Sequence, residues 1–394
     1  MTQKNSTLSA VAIMSLFFLT MGVGTITPAL NSIMQAFPNL SVSTIYLTST
    51  LPSLLCIPAT LIAGAIAGNK VKFKTLSIIG ILLFLVGGIA PAFANDFTVI
   101  LIERAVFGIG LGIMSPIGNA LIIGLYDDNP RAKMMGLGTI LMNVGGVILQ
   151  FAGGLLAGIS WNYAFYAHAF GIISLLLVIF FLPEPNKIEQ PIGVTKQKVK
   201  VKSSVWLIAI LFGCVMFLDY PLLMGMSTFL ANNGFGGPAV AAVVLVFFTV
   251  GGIIAGMIFS NVFKLAKRFT ISFGLFAFTL GYVLVLFTGN IIMITIGTAL
   301  VGIGFSTLFP AVMMIIGMVS EPQAVPICVS IVLAIMNAFA FLTTYWIALI
   351  GSITGNAIEG PMFAAMIMAT VAGVIFLFID PFPTTGNMPQ PQNE

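Results

Sequence analysis

Twelve apolar runs, each long enough to cross a lipid bilayer, constrain this chain more than any other feature. Crossing ~30 Å of hydrocarbon at ~1.5 Å per helical residue takes roughly 20 apolar residues. Such runs occupy residues 8–30, 44–67, 75–94, 97–125, 134–158, 163–182, 204–230, 238–262, 270–288, 291–319, 325–351 and 361–379. Only 7% of the residues are charged, whereas soluble domains carry about 25%. That is too few to coat a water-soluble body of this size. The chain is therefore predicted to be an all-α polytopic membrane protein with twelve transmembrane helices. The first run follows Lys4, is longer than a signal-peptide core and leads directly into further spans, so it is read as a helix and not a cleaved leader.

Basic residues set the expected orientation, because loops on the cytoplasmic side collect Lys and Arg. With the N-terminus inside, the inner segments hold Lys4, Lys70, Lys72, Lys74, Arg131, Lys133, Lys187, Lys196, Lys198, Lys200, Lys202, Lys264, Lys267 and Arg268, fourteen of the fifteen basic residues. The remaining one, Arg104, lies within a span. Both termini are thus predicted to be cytoplasmic. The longest interruption, residues 184–203, is rich in Pro, Lys and Gln. It separates a first bundle (1–183) from a second (204–380), with a tail at 381–394. Its lysines are expected to be solvated, with contact to anionic lipid as the other reading.

The two halves also match each other at a constant offset of 194. Lys70 pairs with Lys264, Lys74 with Arg268, Gly80 with Gly274, Phe84 with Phe278 and Gly87 with Gly281. Gly108 pairs with Gly302, Gly110 with Gly304, Pro116 with Pro310, Met142 with Met336 and Asn143 with Asn337. Six spans per copy is an even number, so the copies share one orientation and are related by an axis along the membrane normal. This predicts two pseudo-symmetric six-helix bundles with a substrate site between them near the midplane, reached by rocking one bundle against the other.

Ionisable groups within a span cost roughly 2.5–3.5 kcal/mol each on insertion scales, which makes them functional candidates. Glu103, Arg104 and Asp219 are the main ones. Arg104 and Asp219 are expected at similar depth, facing a common aqueous cavity, with Asp219 binding a proton or a cationic substrate. The structural alternative has Arg104 satisfying backbone carbonyls or pairing with Glu103. Asn143 and Asn337 are expected either to bond across helices or to face the cavity. The sole histidine, His168, is read as an interfacial residue, with a proton relay as the lesser reading. Cys56, Cys214 and Cys328 lie far apart in apolar runs, so neither a disulfide framework nor a metal site is expected. Gly108, Gly110 and Gly112 follow no strand and lack phosphate-loop spacing, which makes close helix packing the better account.

The fourth span reads Leu101-Ile-Glu-Arg104-Ala-Val-Phe-Gly108-Ile-Gly110-Leu-Gly112 and is followed by Pro116. Asn129-Pro-Arg131-Ala-Lys-Met-Met-Gly136 follows it, Trp161-Asn-Tyr-Ala-Phe165 opens the sixth span and Leu182-Pro-Glu184 closes it. With these features the chain resembles the major facilitator superfamily, and within it the twelve-span drug:proton antiporter branch. Gly68 stands where the family's second-to-third loop has an Asp, and Val71 replaces a Gly there. Lys70, Lys72 and Lys74 keep that loop basic. In the fifth span, Leu149-Gln150-Phe-Ala-Gly153-Gly154 replaces the antiporter pattern of a Gly-Pro pair before a Gly-Gly pair.

The resemblance implies a secondary active transporter in the plasma membrane, monomeric and without a cofactor, exporting small hydrophobic or amphipathic molecules in exchange for protons. Its partners would be the substrate, protons and membrane lipid, not nucleic acid. No nucleotide-binding loop is seen, and the chain is not expected to be an enzyme. The alternative function is a symporter or facilitator for a small polar metabolite such as a sugar or organic anion. Against an anion carrier, Thr298 occupies the repeat position of Arg104.

Overall fold

The computed structural model describes residues 7–126, 128–185, 201–321 and 324–380. Lys4, Lys187, Lys196, Lys198, Lys200, most of the 184–203 segment and the 381–394 tail lie outside the described residues. The described chain is helical throughout, in twelve passes. Helix α1 comprises Thr7–Thr20 and Gly22–Ala36, α2 is Val42–Ile66, α3 is Phe73–Ile89, α4 is Phe97–Leu125, α5 is Asp128–Ala157 and α6 is Trp161–Phe181. Helix α7 is Ser203–Asn232, α8 is Pro238–Ala266, α9 is Thr270–Phe287, α10 is Ile291–Val319, α11 is Val325–Thr354 and α12 is Glu359–Phe378.

Helical character persists for 50 residues from Pro238 to Phe287, about 75 Å if straight and far more than one crossing requires. The stretch reverses at Lys267, the one non-glycine residue with positive φ (45°) among the described residues. Helix α10 packs along both α8 and α9, which two consecutive parts of one straight rod cannot permit. The stretch is therefore two spans.

Elsewhere the sequence dictates where helices begin and break. Ser41 caps α2 through the Thr44 N–H (3.2 Å), and Asp96 caps α4 through the Thr98 N–H (2.6 Å). Asn290, the repeat partner of Asp96, caps α10 through the Ile292 N–H (2.8 Å). Each side-chain oxygen satisfies a backbone donor that has no partner inside its own helix. The first helix of each half is interrupted at the same register. In α1 the break falls at Met21 with a 40° bend, and a 3-10 stretch runs from Gly22 to Ala29. In α7 it falls at Cys214 and Val215, where Phe217 N–H bonds Cys214 O (3.0 Å) and Leu218 N–H bonds Val215 O (2.9 Å).

The repeat extends to helix packing. A Cβ built on Gly80 would lie 3.2 Å from the Gly110 oxygen, and one on Gly274 would lie 3.2 Å from the Gly304 oxygen. In the reverse direction, a Cβ on Gly110 or Gly304 would lie 2.7 Å from the oxygen of Gly80 or Gly274 respectively. Gly87 meets the backbone of Glu103 and Phe107, as Gly281 meets that of Gly297 and Val301. Small residues thus let α3 approach α4, and α9 approach α10, backbone to backbone. Gly108 does the same against Pro52 of α2.

The halves touch along two seams, α2 with α11 and α5 with α8. Hydrogen bonds between the halves include Thr50 Oγ1 to Thr344 Oγ1 (2.6 Å) on the α2–α11 seam and Ser227 Oγ of α7 to the Pro28 carbonyl of α1 (2.5 Å), and both lie toward the end of the bundle away from the basic loops. There too, Gly154 abuts Pro238 and Ala242. Toward the basic end, Gly64, Gly136, Gly256 and Gly317 have open space where a Cβ would stand.

Candidate functional site

Asp219 sits in the first turn of the helical segment that restarts after the α7 break. The N–H groups of this first turn are already bonded to the preceding turn, Asp219 N–H to the Val215 carbonyl (3.1 Å) among them, so they do not compensate the carboxylate. The side chain is 4% exposed, and its Oδ1 has no hydrogen-bond partner. Tyr282 of α9 packs beside it and donates to the Leu218 carbonyl (2.6 Å). The adjacent Tyr220 bonds Ser53 of α2, across the junction between the halves. At the repeat position in α1 stands Thr25, whose hydroxyl bonds the Gly22 carbonyl (2.7 Å). The carboxylate is therefore a feature of the second half alone.

Arg104 lies entirely within the first half and is fully buried. Its Nε donates to the Thr48 carbonyl of α2 (2.8 Å), and its guanidinium lies 4.0 Å from the centroid of the Phe107 ring. Nη1 and Nη2 have no hydrogen-bond partner. Arg104 and Asp219, expected at similar depth, are both buried. From the observed helix ends, Arg104 is seven residues below Phe97 and Asp219 thirteen below Asn232, depths of roughly 10 Å and 20 Å at 1.5 Å per residue. The two groups therefore sit at different levels in different halves. Glu103 does not pair with Arg104 either. It is partly buried, with Oε2 unpartnered, and its backbone lies against Gly87.

His168 departs from its interfacial reading. It is fully buried in the first half, with Nδ1 2.9 Å from the Phe165 carbonyl and its ring edge-on to Phe107 (5.0 Å) and Phe84 (5.5 Å). Gly88 makes room for it. Distance along a span is legible in the sequence, but the direction of a side chain is not, and here the 3-10 turn Trp161–Ala169 coincides with its burial.

The paired amides behave alike. Asn143 donates to the Thr139 carbonyl and Asn337 to the Leu333 carbonyl, both at 3.0 Å within their own helices. Among the described residues, neither amide bonds to another helix. Each is partly exposed and lies seven residues, two turns, from a side chain at the heart of the bundle: Gln150 on α5 and Thr344 on α11, themselves repeat partners. Gln150 Nε2 donates to Thr27 Oγ1 of α1 (2.9 Å). Gln150 was legible as a second amide in the same span, since any amide in lipid needs a partner. The aromatic set beside Asp219 carried no such signal. Phe217 stacks on Trp346 of α11 (5.4 Å, 5°) and packs against Phe339 (5.4 Å).

At the basic end, Gly68 (φ 73°) makes the left-handed turn that brings its N–H to the Val71 carbonyl, and its missing Cβ leaves room for the Phe73 ring. Lys70, Lys72 and Lys74 follow this turn. Glu184 reaches the same place from the end of α6 and accepts from the N–H groups of Phe73 (2.7 Å) and Lys74 (3.0 Å). Pro116 and Pro310 occupy matching places within α4 and α10.

Two broken helices, a buried carboxylate and two glycine-sealed bundles joined along paired seams describe a multi-pass membrane protein built from two matched halves. The chain belongs to the Major Facilitator Superfamily, whose model matches residues 12–264. Among curated relatives, the quinolone resistance protein NorA of Staphylococcus aureus is 28% identical over 125 residues. That match covers 32% of each chain, so it spans about a third of that relative's length. Multidrug resistance protein 1 of Bacillus subtilis is 26% identical over 329 residues, covering 79% of this chain and 81% of its own. Among solved structures, the nucleoside transporter NupG superposes with a TM-score of 0.76 at 12% identity, covering 94% of this chain and 98% of that one. A D-xylose-proton symporter gives 0.73 at 14% identity, with 97% and 99% covered. At these identities the structural likeness bears on the fold alone.

Proposed function

We propose that this chain is a secondary active transporter of the plasma membrane that exports small hydrophobic or amphipathic molecules in exchange for protons, with Asp219 as the proton-binding group. The observation that carries the reading is the placement of Asp219. A buried carboxylate with an unpartnered oxygen stands one turn past a helix break, beside a tyrosine that reaches the opposite half. In a low-dielectric site the charged form needs compensation and the neutral form does not. Gain or loss of a proton therefore changes how well α7 packs against α2. Coupling requires such a link between protonation and the relative position of the halves.

The drug-resistance names of two relatives support export of hydrophobic compounds. The half-buried Phe217–Trp346–Phe339 set offers an adaptable apolar surface for them, and Asn143 and Asn337 polar contacts on either side. The basic loops would face the cytoplasm, with substrate entering from that end, and the monomer would be the working unit.

The test is proton movement in proteoliposomes loaded in turn with a lipophilic cation, a neutral drug and a sugar. Drug-evoked proton flux that disappears in Asp219→Asn supports the proposal. Drug transport with unchanged proton flux in that variant removes Asp219 from coupling. Sugar-evoked flux alone makes the protein a symporter for polar metabolites.

A further inference from the structure

The two seams between the halves differ in chemistry. The α2–α11 seam is joined by a hydroxyl pair, Thr50 and Thr344. The α5–α8 seam is joined by small residues, Gly154 against Ala242 and Pro238. Alongside this second seam runs a groove of about 300 Å3 lined only by apolar side chains, among them Phe151, Ala152 and Leu155 of one half and Val243, Val246 and Phe247 of the other. Its outer walls are open: Phe151 is 39%, Leu155 48% and Val243 45% exposed. It extends from Val147 to Leu155 on α5, about 12 Å along the helix, close to the depth of one leaflet of a ~30 Å hydrocarbon core.

We propose that this groove holds one acyl chain of a membrane phospholipid, which acts as a wedge between the halves. Three features favour lipid over transported substrate. The groove lies at the end of the bundle where the halves are in contact, beside the close packing of Gly154 on Ala242. The lining offers no donor, acceptor or charge that would orient an amphipathic ligand. Its length runs along the helices, as a lipid chain does. Because the walls belong to different halves, any rocking motion changes the groove's width, and a chain in it biases that motion.

Photo-crosslinking tests the idea on the full chain in nanodiscs, using phosphatidylglycerol with a diazirine in mid-chain. The expected result is at least fivefold enrichment of adducts on residues 147–155 and 243–247 over the other lipid-exposed helix faces. Ala152→Phe, which fills the groove from within, should cut those adducts at least fivefold and leave adducts elsewhere unchanged. If that variant fails to fold, Phe151→Ser supplies the same comparison by making the wall polar. Uniform labelling of the lipid-facing surface, or enrichment that neither variant alters, overturns the proposal. Loss of the adducts on adding excess tetraphenylphosphonium also overturns it, because the groove would then be a substrate site.

Discussion

The hydroxyls of Thr50 and Thr344, 294 residues apart in sequence, lie 2.6 Å from each other across the α2–α11 seam. One neutral hydrogen bond contributes about 0.5–1.5 kcal/mol, and a factor of ten in an equilibrium corresponds to 1.4 kcal/mol. Thr50→Val is therefore expected to shift the population toward separation at this end by two- to tenfold. Spin-label distances between α2 and α11 would report the shift. Thr344→Val should give a similar change, and the double variant little more than either alone, because both remove one bond.

The glycine seams give a sharper contrast. Gly110→Val places a branched side chain against the backbone of Phe84 and Gly80, and Gly304→Val places one against the Phe278 ring and the Gly274 carbonyl. Overpacking of this kind costs about 1–3 kcal/mol, so each should lower the melting temperature in detergent by several degrees. Gly64→Ala and Gly136→Ala meet nothing within 4 Å and should leave it unchanged.

Glu184 stands in for a cap that α3 lacks at its own N-terminus, since Lys72 makes no side-chain cap bond there. Loss of a helix cap costs about 0.5–2 kcal/mol. Glu184→Ala is expected to destabilise the first half by that amount, measured as faster amide exchange at Phe73 and Lys74. Glu184→Gln keeps an acceptor and should recover most of the protection.

Asp96 lies at the membrane surface, and the Thr98 N–H holds its carboxyl below the usual carboxylate range. A depressed value means that the cap is in place above the unfolded pKa of about 3.9 and is lost as pH falls through the folded one. The protection factor of the Thr98 amide, its exchange relative to the intrinsic rate at each pH, should therefore fall below about pH 4 in the wild type. Asp96→Asn reproduces the cap that Asn290 already supplies to α10, and its exchange should show no such step.

Much of the fold was legible in the sequence because lipid leaves few solutions for a polar backbone. The expected spans 97–125 and 291–319 coincide with α4 and α10, whose starts are marked by Asp96 and Asn290. The 194-residue offset predicted the carbonyl contact that recurs at Gly80 with Gly110 and at Gly274 with Gly304. The candidate site was less legible. Arg104 and Asp219 were recognisable as charges in lipid, yet their separation depends on where α7 ends and which way each side chain turns. His168 was assigned by its depth, whereas its burial depends on azimuth. The role of Glu184 was hidden because its partners, the N–H groups of Phe73 and Lys74, are backbone atoms over 100 residues away.

The matched interruptions at Met21 and Val215 give each half a jointed first helix, while α4 and α10 remain unbroken. A jointed rod is compliant where a continuous one is stiff. The outer segments of α1 and α7, which carry Pro28 and Ser227, are thus free to tilt with the seam while their inner segments stay seated in their own bundles. Opening at that end then becomes a local flexure about two elastic points, and the frames behind them need not rotate by the full angle of the gap.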